Sequence, residues 1–464
     1  IWPRHTGDFS MFRVYASKDN RPAAYSPQNV PYRPKKHFSI STKGVKEGDF
    51  TMIYGFPGNT QEYILSDAVA YIAERSDPAK IAIRTGRLDI ITKAQESDPA
   101  LRIHYAAKHA SIANAWKKWQ GEALGIDRRG TVAAKFDYET QFGLWSVGRP
   151  EYAGVVMGLR AEYDRIMDAY FAYEITRETL STLPAAYTPE ERAEECFARR
   201  KFAEQALWRH AFREYGRCPK VYRTPSYAEG MARYKSPEAY ADALFEAVWE
   251  GSDSVAMQPA VRLREETKRM LDHISWMLGT KSLRNLNSKI LNELYTTYIK
   301  GLREWDRERA FYPDANLTLR VAYGSVAGYE YADGEYHKPQ TTLDGIIAKD
   351  NPEIYDYDIP QSLRDLYASK NYGRWGTVID GRRTVPVCFL ATNHTTGGNS
   401  GSPVLNAGGE LIGINFDRTW RSTMSDIAFD PAICRNIAVD IRYVLFVVDR
   451  VGGAGYLLKE MTLK

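Results

Sequence analysis

The sequence is poor in cysteine and contains no Cys-x-x-Cys pair. Its 464 residues include four cysteines, which are Cys196, Cys218, Cys388 and Cys434. Without a close pair, a zinc ribbon is disfavoured. The 22-residue separation of Cys196 and Cys218 would allow a disulfide, and buried free thiols fit the sequence equally well. The cysteines therefore argue against a zinc module and leave their own redox state open.

Net charge and long apolar runs are also scarce. The formal net charge is only +4, which does not indicate a nucleic-acid partner, because such a partner requires a concentrated basic face. No apolar run is long enough to span a membrane. The most apolar segment, NIAVDIRYVLFVVDR, is interrupted by Asp440 and Arg442 and predicts a strand.

The chain also lacks an initiator methionine, a signal peptide and any repeat of fixed length. It begins at Ile1, within a strand-like texture, which suggests a fragment or a chain cut from a longer precursor. The missing repeat disfavours a solenoid.

The sequence divides into three regions, whose residue patterns predict strands, then helices, then strands again. Residues 1–60 contain short β-type runs separated by turn residues, such as FTMIYGFPGN. Residues 61–316 have helical periodicity, and residues 317–464 return to strands, including VPVCFLATN and a hairpin in which NAGGE joins SPVL to LIGINF. A helical domain inserted into a β-barrel enzyme would produce this order.

The helical region carries clear start and stop signals. In YTPEERAEECFARRKFAEQALWRHAFREYG, Thr188 and Glu191 form a capping box and Gly216 suits the helix end. In KSPEAYADALFEAVWEG, Ser236 and Gly251 take the same places. These signals predict one helix in each segment.

The stretch TTGGNSGSPV, residues 395–404, places a serine among glycines directly before a strand. A serine nucleophile needs donors for the developing oxyanion, and a glycine two residues earlier lets two N–H groups converge. Ser400 and Gly398 have this relation. Ser402 lacks it, precedes Pro403 and is the weaker candidate. The loop has the form of a chymotrypsin-type nucleophile loop and not that of a G-x-S-x-G elbow.

Several motifs together resemble the bacterial dipeptidyl-peptidase 7 and 11 family of chymotrypsin-clan serine exopeptidases. They are WPRHTGDFS, YGFPGNT, ANAWKKWQG, ATNHTTGGNSGSPVLNAGGELIGINFD and RNIAVDIRYVLFVVD. The resemblance implies an α+β protein. It would have a chymotrypsin-like double β-barrel, whose first barrel is incomplete in this chain and ends in residues 1–60. A large all-helical domain would be inserted at 61–316, and the second barrel, at 317–464, would carry the nucleophile.

The resemblance also assigns catalytic roles. Ser400 matches the nucleophile, and Asp8, in RHTGDFS, matches the acid that orients the catalytic histidine. The N–H groups of Gly398 and Ser400 match the oxyanion site. The family's histidine lies in an N-terminal TNHH-type segment that is absent here. The eight histidines present are interpreted as structural or surface residues: His5, His37, His104, His109, His210, His273, His337 and His394.

Substrate-binding roles follow from the same resemblance. Asn114, on the predicted helix SIANAWKKWQG, matches the anchor of the substrate's free α-amine, and Asp417 matches a second group near it. Arg418 stands where family members that prefer Asp or Glu have arginine, and its planar fork suits a carboxylate. The resemblance therefore implies a branch that releases dipeptides with Asp or Glu as their second residue. The alternative interpretation is an ion pair of Arg418 with Asp417 or Asp426 on the surface.

The implied setting is that of a secreted enzyme. The resemblance implies peptide substrates with a free N-terminus, a homodimer, and a periplasmic or cell-surface location. It requires no cofactor and no metal. Other interpretations remain open: an apolar-preferring peptidase of the same family, a chymotrypsin-like endopeptidase, and a non-catalytic pseudo-enzyme or helical binding module. The missing histidine favours the last of these.

Overall fold

The chain forms two units because its middle segment is helical and its two ends are rich in strands. The structure, a computed structural model, describes residues 2–251, 254–279 and 285–464. One unit comprises Ile1–Glu62 and Pro313–Lys464, and the other comprises Tyr63–Tyr312. The first is called the sheet unit here and the second the helical unit.

The helical unit is built from amphipathic helices around an aromatic-rich core. Fully buried Phe142, Tyr163, Phe212 and Phe245 lie in that core. A π-helical turn, Tyr71–Ser76, joins the first two helices. The α-helices in the described residues are α1 Ser66–Ala70, α2 Asp77–Ser97, α3 Pro99–Arg128, α4 Thr131–Ser146, α5 Val155–Glu178, α6 Pro189–Ala193, α7 Lys201–Tyr215, α8 Pro225–Tyr234, α9 Pro237–Glu250, α10 Ser254–Met277 and α11 Lys289–Trp305.

The predicted caps are confirmed, but one predicted helix is interrupted. Thr188 and Glu191 form the capping box of α6, and Ser236 and Gly251 bound α9. The helix predicted to run on to Gly216 instead breaks between α6 and α7.

Tertiary contacts with α9 explain this break. Phe197, in the interruption, stacks on Trp249 with ring centroids 4.2 Å apart. The Arg192 guanidinium donates to the last carbonyls of α9, including those of Val248 and Trp249. Such contacts at the end of a neighbouring helix outweigh local helix propensity.

The sheet unit contains one large antiparallel sheet and three short helices. Its strands are β1 Tyr15–Ala16, β2 Val30–Pro31, β3 Phe50–Gly55, β4 Arg320–Ser325, β5 Tyr329–Ala332, β6 Glu335–His337, β7 Gln340–Thr342, β8 Thr377–Ile379, β9 Arg382–Thr384, β10 Pro386–Ala391, β11 Ser402–Leu405, β12 Leu411–Arg418 and β13 Asn436–Asp440. Its helices are α12 Leu343–Ala348, α13 Gln361–Ser369 and α14 Ile441–Phe446.

The large sheet has the order β4-β3-β11-β12-β13-β10-β7 and curls on itself. A bridge between Val326 and Ala391 and a hydrogen bond from Thr392 N–H to the Ser325 carbonyl (2.9 Å) bring the end of β4 to the end of β10. The presence of this curled sheet and of a separate helical unit in one chain confirms the predicted α+β class. Strand β3, from the N-terminal segment, lies in the same sheet as the strands that carry the nucleophile loop, and the assignment of residues to two barrels stays a prediction.

One strand prediction is wrong in its second half. In NIAVDIRYVLFVVDR, β13 ends at Asp440 and α14 begins at Ile441. The Asp440 carboxylate caps α14 by accepting from the Arg442 N–H and also pairs with the Arg442 guanidinium. An N-cap aspartate of this kind starts a helix even where the following residues are apolar or β-branched.

The open question about cysteine has an answer in the structure. All four cysteines are free and buried. Among the described residues, no helix combines the length and the apolar character that crossing a membrane requires.

Candidate active site

The loop that joins β10 to β11 depends on glycine at residue 398. Gly398 has φ of +107°, and a Cβ there would lie 2.4 Å from the Phe56 carbonyl oxygen. The Gly58 N–H donates to the Gly397 carbonyl at 2.6 Å, which holds the two chain segments together. Other residues disfavour this φ value, and their Cβ would clash with Phe56. Residue 398 therefore has to be glycine for the loop to keep this backbone conformation.

Three buried amides fix the loop to the sheet. Asn436, on β13, donates from Nδ2 to Asn415 Oδ1 at 3.0 Å, and Asn415, on β12, donates to the Asn399 carbonyl at 3.1 Å. The Asn399 side chain accepts from the Thr396 N–H. These groups are almost fully buried, so each lost bond would leave an unsatisfied polar atom.

Ser400 and Ser402 differ in exposure. Ser400 is exposed, and its hydroxyl lies 3.4 Å from the Phe416 carbonyl oxygen. Ser402 is buried at the start of β11, and its Oγ faces Gly55. Of these two serines, Ser400 is the exposed one, and its role as the nucleophile stays a prediction.

Two N–H groups of the loop are available to a ligand. Within the described part of the chain, the N–H groups of Gly398 and Ser400 have no hydrogen-bond partner. Donors of this kind suit the negative oxygen that develops during acyl transfer. The predicted oxyanion pair is therefore chemically reasonable, and its role stays a prediction.

Arg418, at the end of β12, is held against the same loop. Its guanidinium forms a bidentate pair with Asp426, with Nη1 to Oδ1 at 2.6 Å and Nη2 to Oδ2 at 3.0 Å. Nη1 also donates to the Ser425 hydroxyl at 3.0 Å and to the Thr395 carbonyl at 3.3 Å. Arg418 thus lies next to the nucleophile loop, as a pocket-wall residue requires, with most of its positive charge balanced.

Asp417 has two partners that the sequence did not indicate. One carboxylate oxygen pairs with the Arg4 guanidinium, and the other accepts from the Arg418 N–H at 2.8 Å. Arg4 also lies over the Phe416 ring, 5.5 Å from its centroid. The predicted amine-binding carboxylate is therefore close to Ser400 along β12 and is shared with Arg4.

Asp8 is exposed, and its described contacts do not include Ser400. The segment that carries it packs on β10, where the Cys388 thiol donates to the Thr6 carbonyl at 3.3 Å. Burial raises the pKa of Cys388 to about 12, which leaves it a neutral thiol. The predicted role of Asp8 stays a prediction.

His394 and His5 are half-buried, which is compatible with their structural interpretation. His394 stacks on Phe429, and its Nε2 lies 2.8 Å from the Ser425 carbonyl and 3.5 Å from Glu62 Oε1. Burial lowers the pKa of His394, so the ring is neutral near pH 7. Burial and Lys349 lower the pKa of His5 to about 4.

Asn114 lies in the helical unit, exposed on α3. Two residues later, the Trp116 indole donates to the Thr85 hydroxyl at 2.9 Å and fixes α3 on α2. An exposed amide on a well-anchored helix can bind a ligand, and the amine-binding role of Asn114 stays a prediction.

One side-chain group among the described residues has metal-ligand chemistry. His104, Glu194 and Cys196 bring their ligand atoms within 4.8 Å of one another. However, Arg200 Nη1 lies 2.7 Å from His104 Nε2 and 3.4 Å from Glu194. This buried guanidinium already balances the carboxylate and would repel a cation.

Asn415 and Asn436 are partners of the site that were not predicted from the sequence, whereas Asp426 was one of the two surface partners considered for Arg418, and it is buried instead. Asp426 is eight residues after Arg418, and the two asparagines lie on different strands. Only the position of the asparagines within apolar strands hinted at buried amides, which need partners when buried.

Comparison with known proteins identifies relatives along the whole chain. The Asp/Glu-specific dipeptidyl-peptidase of Capnocytophaga gingivalis is 40% identical over 509 residues, with coverage of 100% of this chain and 70% of the relative. The enzyme of the same name from Flavobacterium psychrophilum is 41% identical over 503 residues, with the same coverage. Dipeptidyl-peptidase 7 of Phocaeicola vulgatus is 33% identical over 504 residues, with coverage of 100% and 69%.

The fold is also similar to a solved structure. Porphyromonas endodontalis DPP11 in complex with the dipeptide Arg-Glu matches with a TM-score of 0.84 and 32% identity, covering 100% of this chain and 71% of that one. The peptidase S46 family profile matches residues 1–195 and 190–463. Together with the relatives at 40% and 41% identity, this match shows that the chain belongs to the peptidase S46 family.

Proposed function

We propose that the protein is a serine dipeptidyl-peptidase that releases dipeptides whose second residue is Asp or Glu. The relatives named Asp/Glu-specific dipeptidyl-peptidases, at 40% and 41% identity, support this specificity. The observation that carries the proposal is the guanidinium of Arg418 against the carbonyl of Thr395, in the loop that bears Ser400. A positive group at that place suits a carboxylate next to the bond that is cut.

The proposed chemistry is acyl transfer through Ser400. Its Oγ attacks the carbonyl carbon of the substrate's second residue and loses its proton to a base, which in the resembled family is a histidine oriented by the residue that Asp8 matches. The N–H groups of Gly398 and Ser400 stabilise the oxyanion. The leaving amine takes the proton, and water then cleaves the acyl-enzyme ester and releases the dipeptide.

Two further residues limit the product to two amino acids. In the proposal, the Asn114 side-chain oxygen and the Asp417 carboxylate bind the substrate's free ammonium. An ammonium only donates hydrogen bonds, so its partners must be acceptors. The amine is then held at a fixed distance from the nucleophile. The homodimer and the periplasmic or cell-surface location belong to the same proposal, and size-exclusion chromatography and cell fractionation would check them.

The Arg418–Asp426 pair favours a second candidate, an apolar-preferring dipeptidyl-peptidase. A pair that is almost neutral attracts a carboxylate less than an isolated guanidinium does. The relatives named dipeptidyl-peptidase 7 are compatible with this alternative.

Matched reporters decide between the two candidates. The intact protein and its Arg418→Gly variant are assayed on dipeptidyl fluorogenic reporters with Asp, Glu, Leu or Phe as second residue. We expect the wild type to favour Asp and Glu, and Arg418→Gly to lose about 10- to 150-fold on them, the value of a hydrogen bond to a charged group. Arg421→Ala is the control, because Arg421 lies over the Tyr331 ring. Equal rates on acidic and apolar reporters, or an unchanged preference in Arg418→Gly, would contradict the proposal.

A further inference from the structure

Asp426 is the buried counter-ion of Arg418. The two side chains are 10% and 12% exposed, and they share a bidentate contact. The other acceptors of Nη1, the Ser425 hydroxyl and the Thr395 carbonyl, are neutral. Asp426 therefore supplies the negative charge that a guanidinium needs at this depth.

Asp426 is itself rigidly placed. It is the last residue of the 3-10 segment Trp420–Asp426, and its carbonyl accepts from the Gln61 N–H at 2.6 Å. Arg418 is fixed equally well by its backbone pairing with Asn436 in the sheet. With both backbones held, the bidentate contact with Asp426 fixes the orientation of the guanidinium together with the Thr395 carbonyl and the Ser425 hydroxyl.

We infer that Asp426 is a specificity-determining positioning residue, which holds the Arg418 guanidinium ready for the acidic side chain of the substrate. This inference rests on the proposed function, in which Arg418 recognises that side chain. An arginine side chain has considerable rotamer freedom, and fixing it before binding removes that cost from recognition.

The same carboxylate also has an opposing effect, since it repels an incoming carboxylate. The two effects predict different orders among variants. If positioning dominates, the ratio of kcat/KM on acidic reporters to kcat/KM on apolar ones falls from Asp to Asn to Ala at residue 426. If repulsion dominates, Asp426→Asn raises the ratio, because it removes the charge and keeps an acceptor.

The test measures this ratio in the intact protein for Asp426→Asn and Asp426→Ala. We expect a drop of about tenfold or more in Asp426→Ala, because KM rises on the acidic reporters, and an intermediate value in Asp426→Asn. A merely structural role would lower activity on both reporter classes alike and leave the ratio unchanged.

Asp440→Asn is the matched control. Asp440 forms an equivalent buried bidentate pair with Arg442, at 2.9 and 2.7 Å, with side chains 1% and 10% exposed. The Asp440→Asn variant should lower the melting temperature about as much as Asp426→Asn does and leave the ratio of acidic to apolar kcat/KM unchanged.

Three results would overturn the inference: a higher ratio in Asp426→Asn, an unchanged ratio in Asp426→Ala, or an equal drop in Asp440→Asn. A wild type with no acidic preference would refute the proposed function instead, so the two failures can be told apart.

Discussion

The nucleophile loop and the start of α2 are both unusual backbone segments, and they are stabilised by opposite chemistry. The loop of residues 395–401 is fixed by glycine geometry and by the neutral amides of Asn399, Asn415 and Asn436. The start of α2 follows a π-helical turn and is stabilised by buried ions.

The ionic cluster at the start of α2 is dense. Lys80 lies 3.0 Å from Asp77 and 3.1 Å from Glu174, and its ammonium is 4.4 Å from the centre of the Trp119 ring. Ser76 donates to the same Glu174. The two segments therefore differ in the charge of the groups that hold them: the loop has neutral amide partners and the start of α2 has charged ones.

The largest expected effect is on the nucleophile itself. Ser400→Ala should lower kcat by on the order of 10⁶, since nothing replaces the attacking oxygen. Ser402→Ala, the matched variant at the buried serine, should retain most activity. Reporter turnover and labelling by a fluorophosphonate measure both. Substantial turnover by Ser400→Ala would show that Ser400 is not the nucleophile and that the loop has no catalytic role of this kind.

The next effect concerns the ionic junction. Lys80→Met should lower the free energy of unfolding by about 3–5 kcal/mol, because two buried carboxylates lose their shared cation. Lys300→Met is the control: Lys300 pairs with Glu151 in an exposed position and lies over the Tyr152 ring. Its loss should change the free energy of unfolding little, because exposed ion pairs contribute little to stability. Hydrogen exchange of the α2 and α5 peptides reports the local change. Similar effects of the two variants would mean that buried ions do not stabilise this junction.

A somewhat smaller effect is expected at the glycine of the loop. Gly398→Ala places a Cβ 2.4 Å from the Phe56 carbonyl oxygen at a φ of +107°, so the loop must shift. A displaced oxyanion donor typically costs about 10²–10³ in kcat. Gly397→Ala is the control, because a Cβ there has no neighbour within 4 Å. Equal activities of the two variants would show that the loop geometry is not needed for turnover.

Local signals of the sequence predicted the features that depend on neighbouring residues. The capping box at Thr188, the end of α9 at Gly251 and the NAGGE hairpin were found because each is set within a few residues. The loop around Ser400 was found for the same reason, since its glycines report backbone geometry.

Features that depend on contacts between distant residues could not be predicted from the sequence. The break before α7 arises from contacts with α9, and the pairing of Arg4 with Asp417 joins residues more than 400 positions apart. Asp440 is an N-cap residue and is therefore a local helix signal. The apolar residues around it were interpreted as a strand, so this signal was not used. The assignment of Asn114 depended entirely on family resemblance, because an exposed amide on a helix has no distinctive pattern.

Asn114 has a neutral side chain in the helical unit, and removing its amide should have a moderate effect on KM. Asn114→Ala should raise KM for dipeptidyl reporters about 10- to 150-fold, the value of one hydrogen bond to a charged group. Ser111→Ala, at an exposed position of the same helix, is the control. Reporters with an acetylated N-terminus should be insensitive to the change. A KM change below twofold would exclude Asn114 as an amine anchor.

The last expected effect is a pH dependence of stability at the ionic junction. Burial raises the pKa of Asp77 to about 7, while Lys80 opposes the shift. Between about pH 4 and pH 7 the folded state therefore keeps a proton that the unfolded state has lost, so stability falls as pH rises through this window. The slope is at most about 1.4 kcal/mol per pH unit. Asp77→Asn removes this contribution, so the variant should gain stability relative to the wild type from pH 4.5 to pH 7.5 and gain no more above it. Urea unfolding of both proteins across this range measures the difference, in which the titration of other groups cancels. A constant difference between the two proteins would show that Asp77 is ionised in the folded state throughout, and that the junction is a fully charged cluster.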